Sequence, residues 1–151
     1  MGYLMADPGL IRAVETIQQA RILCPPHPQQ RAFVRMMSGE IKWLRGFILE
    51  ETPSKYKKIA ELVCRELRKI DGLRFLEPEG GFYVFFDIRE FMEDSKKFVG
   101  GLLREWQVAL APGVDFGMEG WVRLSYAPAV EEPDKLVEGI ERMKKFIDSL
   151  R

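Results

Sequence analysis

Apolar side chains change their spacing at Asp71-Gly72, and few folds accept a chain built that way. Ahead of this point they recur every three or four residues, the mark of helices with one buried face. Leu10, Ile11, Val14 and Ile17 form such a stripe behind Asp7-Pro8, where Asp can cap a helix and Pro fits its first turn. Pro25-Pro26 ends it, Gln29 to Met37 predict a second short helix closed by Ser38-Gly39, and a third pattern starts near Glu40 with Ile41, Leu44 and Ile48. Thr52-Pro53 predicts a break and a new helix capped by Thr52, with Tyr56, Ile59, Leu62, Val63, Leu67 and Ile70 on one side. Its Lys and Arg residues alternate with Glu61 and Glu66, which reads as a solvated face.

Beyond Gly72 the runs are short, aromatic or β-branched, and bounded by turn residues. Leu73 to Leu76 and Phe82 to Ile88, either side of Glu77-Pro78-Glu79-Gly80-Gly81, predict a hairpin. Ser95 is placed to cap a helix through Phe98, Val99, Leu102, Leu103 and Trp106, with Gly100-Gly101 available for close packing. Val108 to Ala111 and Trp121 to Tyr126 predict two more strands around a glycine-rich loop, and Pro133 opens a last helix carrying Leu136, Ile140, Met143, Ile147 and Leu150. The order β-β-α-β-β-α predicts an α+β layer: a three- to four-stranded antiparallel or mixed sheet covered by helices, behind a helical N-terminal portion.

The inventory narrows the chemistry. Lys plus Arg (23) equals Asp plus Glu (23), so there is no global field for a phosphate backbone or an anionic membrane, and nucleic acid is excluded as the main partner. The apolar runs are far shorter than the ~20 residues of a membrane span, and the N-terminus lacks the charge pattern of a secretory signal; the expectation is a soluble, cytoplasmic protein. Cys24, Cys64 and the single His27 cannot form a zinc set, and His27, set among Pro25, Pro26 and Pro28, reads as a loop residue without chemistry. There is neither a P-loop nor a G-x-G-x-x-G fingerprint. One charge stands out: Arg123, in the middle of the apolar-aromatic strand Trp121 to Tyr126. A guanidinium there either faces solvent, pairs with a carboxylate such as Asp87 or Asp115, or clamps the carboxylate of a small molecule.

Three words surround that arginine. They are Gly80-Gly81-Phe82-Tyr83-Val84-Phe85-Phe86, Ala111-Pro112-Gly113-Val114-Asp115-Phe116-Gly117, and Gly120-Trp121-Val122-Arg123-Leu124-Ser125-Tyr126-Ala127. In order and spacing they resemble the C-terminal third of the class I/II, fold-type I aminotransferases, which use pyridoxal phosphate. Gly2 to Pro8 resembles the strand and helix start that follow the cofactor-lysine motif in that family, and Cys24-Pro25-Pro26 with Gln30 resembles its next segment. The resemblance covers essentially the whole chain. It implies a division into residues 1–40, the tail of the large cofactor domain, and residues 41–151, the small C-terminal domain with the interdomain helix.

What it implies for function is amino-group transfer between an amino acid and a 2-oxo acid, with Arg123 receiving the substrate's α-carboxylate. The Pro112-Gly113 loop and the Gly80-Gly81-Phe82 turn would line the side of the cleft opposite the cofactor, although Phe82 and Tyr83 also read as a turn and core aromatics. The family's Schiff-base lysine sits in S-x-S-K followed by G-x-R-x-G. Ser54-Lys55 and Ser95-Lys96 lack the downstream glycine and arginine, so no catalytic residue is expected in this chain, and no pyridoxal phosphate bound to it alone. The resemblance therefore implies the C-terminal part of a longer enzyme, inactive by itself, whose partners are the missing N-terminal domain and a second copy in a homodimer. The alternative is a stand-alone or split-chain, non-catalytic module that binds amino acids for regulation. The apolar stripe Leu10, Ile11, Val14 and Ile17, with Phe33 and Met37, discriminates between them: a severed part leaves it exposed, and a free-standing module buries it.

Overall fold

The computed structural model describes residues 2–151, so Met1, included in the N-terminal reading, lies outside the described residues. The chain divides into two compact units, one ending at Glu50 and one spanning Glu51–Arg151.

The first unit is helical. Asp7 caps α1 (Pro8–Arg21) by accepting a hydrogen bond from the Gly9 amide at 2.7 Å, as its sequence position predicts. Residues 2–6 have no regular structure, whereas the resemblance implied a strand. A strand needs a neighbour to satisfy its amides and carbonyls, and among the described residues none lies beside them. His27 is not a loop residue: it opens α2 (His27–Met37), because Pro28 suits the first helical turn and has no amide to lose there. Gln30 Nε2 donates back to the Pro25 carbonyl at 2.7 Å, holding the proline connector against the helix.

A new α-helix does begin at Thr52-Pro53, with the proline in its first turn, but helical turns rather than a non-helical break precede it. Helix α3 (Lys42–Gly46), a widened π turn (Phe47–Glu51) and α4 (Thr52–Leu67) follow one another, and Glu51 keeps helical backbone angles, so Thr52 does not act as a cap. A widened turn accommodates a proline, whose ring crowds the preceding turn and which has no amide to give it.

In the second unit, strands β1 (Arg74–Leu76), β2 (Tyr83–Asp87), β3 (Ala111–Pro112) and β4 (Trp121–Ser125) form one sheet in the order β1-β2-β4-β3, antiparallel throughout. Helices α5 (Ser95–Trp106) and α6 (Pro133–Ser149) complete the α+β layer with α4. Register pairs Val84 with Leu124 and Phe86 with Val122, and these four side chains are buried with Val63, Leu67, Phe98, Leu102, Met143 and Ile147. The alternate residues pair Tyr83 with Ser125 and Phe85 with Arg123, so strand alternation assigns core and site to opposite faces of one ladder. Gly101 permits the expected close packing: a Cβ there would meet the Phe146 ring at 3.1 Å.

Two local expectations differ. Asp94, not Ser95, caps α5, its Oδ1 accepting from the Lys97 amide at 2.9 Å, which holds the carboxyl below the usual carboxylate range. Strand pairing begins only at Ala111, because the Val108 amide is turned back to the Leu102 carbonyl at the end of α5.

The buried charge of the sheet is Asp87, 3% exposed, which accepts from Arg89 Nε at 2.9 Å, Arg89 Nη2 at 2.7 Å and Arg74 Nη2 at 3.2 Å. Hydrogen bonding from Arg89 holds its carboxyl below the ordinary range despite burial. A carboxyl more acidic in the folded state than in the unfolded chain stabilises above its unfolded value and ceases to do so as pH falls toward the folded one. Urea midpoints are therefore expected to drop below about pH 4. Asp87→Asn should flatten that acid limb while costing about 1–3 kcal/mol at neutral pH, because its donors lose their carboxylate. An unchanged acid limb in this variant would place the acid sensitivity elsewhere.

Candidate functional site

Arg123 is the centre of the non-core face of the sheet. It is half-buried, and among the described residues no carboxylate lies within ion-pair distance of it. The two internal partners that the sequence offered are engaged elsewhere: Asp87 with Arg74 and Arg89, and Asp115 with Lys96 at 3.7 Å. The guanidinium carbon lies over two rings instead, 4.3 Å from the centroid of Tyr83 and 3.9 Å from that of Phe116. Both distances are well inside the ~6 Å reach of a cation–π contact.

Each ring has a structural reason to be there. Tyr83 lies two residues before Phe85, the register partner of Arg123, and is thus its diagonal neighbour on the same sheet face. Phe116 comes from the 3-10 turn Gly113–Phe116 that follows β3, and meets Phe85 edge-on with centroids 5.8 Å apart. That turn is fastened from both sides. Ser95, fully buried at the start of α5, accepts a hydrogen bond on Oγ from the Val114 amide at 3.4 Å. The Ser95 amide in turn donates to Glu119 Oε1 at 2.6 Å, which holds the Glu119 carboxyl below the usual carboxylate range. Gly113 is obligatory here: a Cβ would stand 2.2 Å from the Met118 carbonyl oxygen and 2.4 Å from that of Trp121.

The Gly80-Gly81-Phe82 turn leads into β2, where the Phe82 carbonyl accepts from the Tyr126 amide at 2.9 Å. Gly81 has φ +71°, a conformation open to glycine, and its carbonyl accepts from the buried Tyr126 hydroxyl at 3.2 Å. Burial pushes the Tyr126 phenol up, which preserves it as a donor. Phe82 is 37% exposed and its ring lies 4.4 Å from that of Tyr83 and 6.0 Å from that of Tyr56. The structure thus brings Arg123, Tyr83 and Phe82 into one row of contacts, with Gly81 fixing its end. Sequence reasoning gave no role to Phe116; the available signal was an aromatic residue in a glycine-bounded loop beside a strand with an unpaired cation.

Neither lysine of the look-alike words enters this face. Lys55 pairs with Glu51 at 2.7 Å on α4, and that hydrogen bond raises its pKa, while Lys96 lies at the surface beside Asp115. Both are more than half exposed. A Schiff-base lysine has to be a deprotonated amine within an enclosed site, so these residues do not fit a linkage to pyridoxal phosphate.

Residues 1–140 match the family model described as aminotransferase class I and II. The chain is 33% identical over 149 residues to the aspartate aminotransferase of Thermotoga maritima, covering 99% of this chain and 36% of that protein. It is 32% identical to aromatic-amino-acid aminotransferase 2 of Thermococcus litoralis, again over 36% of that protein's length. The crystal structure of an aromatic aminotransferase from Pyrococcus horikoshii superposes with a TM-score of 0.78 at 35% identity, covering 95% of this chain and 37% of the other. The chain therefore spans little more than a third of the curated relatives that it matches.

Proposed function

The chain belongs to the class I and II aminotransferase family, and we propose that it forms the C-terminal part of an amino-acid aminotransferase, with Arg123 binding the substrate's α-carboxylate. The observation that carries this reading is a half-buried guanidinium without a carboxylate partner among the described residues, presented on the open face of the sheet. A planar guanidinium holds both oxygens of a carboxylate, and so fixes the orientation of the substrate's Cα–H bond. Phe82, at the end of the same row of rings, borders the substrate, and Gly81 gives the turn its shape.

Bound pyridoxal phosphate supplies the electron sink for amino-group transfer. In this reading it is held by the rest of the enzyme, which provides the lysine that residues 1–151 do not. Residues 1–40 are the tail of that cofactor domain and residues 41–151 the small domain. The first unit supports this: none of its described residues is buried, and Leu10 (54%), Ile17 (60%) and Met37 (70%) stand exposed. A free-standing regulatory module would bury such a stripe, so its exposure favours this reading over the stand-alone form of the alternative.

Amino donors of the aspartate or aromatic type are the first to test, with a 2-oxo acid as acceptor and cytoplasmic extract as the source. The chain alone is expected to show no transamination. Activity is expected when it is combined with a polypeptide carrying the cofactor-lysine portion, and in a dimeric assembly. Turnover by the chain alone, or none in the combined protein, would overturn the proposal.

A further inference from the structure

We infer that Phe116 and Tyr83 are positioning residues that order the Arg123 guanidinium before any carboxylate arrives, and that the loop bearing Phe116 sets the strength of carboxylate binding. The inference rests on the carboxylate reading of Arg123. Its own observations are geometric. An arginine side chain at mid-strand ordinarily samples many rotamers, and loses about 2 kcal/mol of conformational freedom when a ligand fixes it. Here the charged carbon lies 4.3 Å and 3.9 Å from two ring centroids, so much of that ordering is already present.

The ring contacts also decide which donors remain. All five N–H groups of a guanidinium lie in its plane and point outward, whereas its faces carry none. With the guanidinium carbon this close to the Phe116 and Tyr83 centroids, aromatic carbon borders the group, and the donors directed away from the rings are left for a planar, bidentate acceptor. Among the described residues no carboxylate takes those donors. Lysine in its place would have no planar edge to present.

Phe116 can hold this position because it is itself held. Its ring meets Phe85 edge-on, and its turn is tied to α5 through Val114, Ser95 and Glu119. Phe116 is also 42% exposed, so shortening it leaves the core intact.

The test uses side-chain NMR of the intact chain, following the Arg123 Nε–Hε group without ligand and during titration with L-alanine, with L-alaninamide as the control lacking a carboxylate. In the wild type the group is expected to be ordered, with an order parameter near ~0.8, falling below ~0.6 in Phe116→Leu. Affinity for L-alanine is expected to fall about tenfold in that variant, the size of a partly desolvated cation–π contact. Phe116→Tyr should restore both. If Phe116→Leu leaves Arg123 as ordered as before, the inference fails whatever the titration gives. If order is lost but affinity is unchanged, while Arg123→Gln abolishes the L-alanine response, the inference fails and the carboxylate reading stands. A wild type that responds equally to L-alanine and L-alaninamide overturns the carboxylate reading and this inference with it.

Discussion

Arg123→Gln is expected to weaken binding of an amino-acid carboxylate about 100-fold, roughly 2.7 kcal/mol, because two charge-assisted hydrogen bonds give way to at most one neutral one. Glutamine keeps much of the length and a donor but carries no charge, so the loss measures the ion pair rather than the packing. Stability is expected to stay within about 0.5–1 kcal/mol, since Arg123 makes no ion pair among the described residues and loses only its contacts with Tyr83 and Phe116. Arg123→Lys should recover part of the affinity through its charge and none of the bidentate geometry. In the combined enzyme the same change should appear in kcat/KM for every amino donor, because an α-carboxylate is common to all of them. Were Arg123→Gln to retain wild-type affinity and kcat/KM, the carboxylate would have to be bound elsewhere.

The parts of this molecule that could be read from sequence are those where one residue type has one physical use. Asp7-Pro8 and Pro133 mark helix starts, and the structure places starts there; Gly72, expected to end the preceding helix, is instead a turn residue with φ +75°, five residues beyond the close of α4 at Leu67. The strands Phe82 to Ile88 and Trp121 to Tyr126 were legible because aromatic and β-branched runs stand between turn residues. Competition between neighbouring groups was not. Asp94 and Ser95 can both cap a helix, and the buried serine is used to fasten the Gly113 loop, leaving the cap to the aspartate. Thr52-Pro53 reads as a break in one dimension, but a widened turn absorbs it. The partner of Arg123 was open between Asp87, Asp115 and solvent, since nothing in a linear sequence says that Arg74 and Arg89 already occupy Asp87. Phe116 escaped notice for the same reason: a loop aromatic acquires a role only when the strand it folds over is known.

Adjacent phenylalanines on β2 should separate stability from function more sharply than any other pair in the chain. Phe86 is fully buried opposite Val122, within the layer formed by Phe98, Leu102 and Met143, so Phe86→Ala should cost about 3–5 kcal/mol, part of it the cavity left behind. Its site face would be untouched as long as the chain folds. Phe85 is half-buried on the opposite face, in register with Arg123 and edge-on to Phe116. Phe85→Ala should cost only about 1–2 kcal/mol, the share of a phenylalanine's transfer energy that partial burial secures. It should nevertheless loosen Phe116 and with it the guanidinium, giving a drop in carboxylate affinity that Phe86→Ala does not show. Urea unfolding read beside the L-alanine titration checks both halves of this. Equal stability costs would mean that the sheet does not divide its faces in this way, and unchanged affinity in Phe85→Ala would mean that Phe116 needs no support from β2. The division follows from a period of two: one residue further along a strand is the other side of the sheet, and here that step crosses from what holds the fold to what faces the substrate.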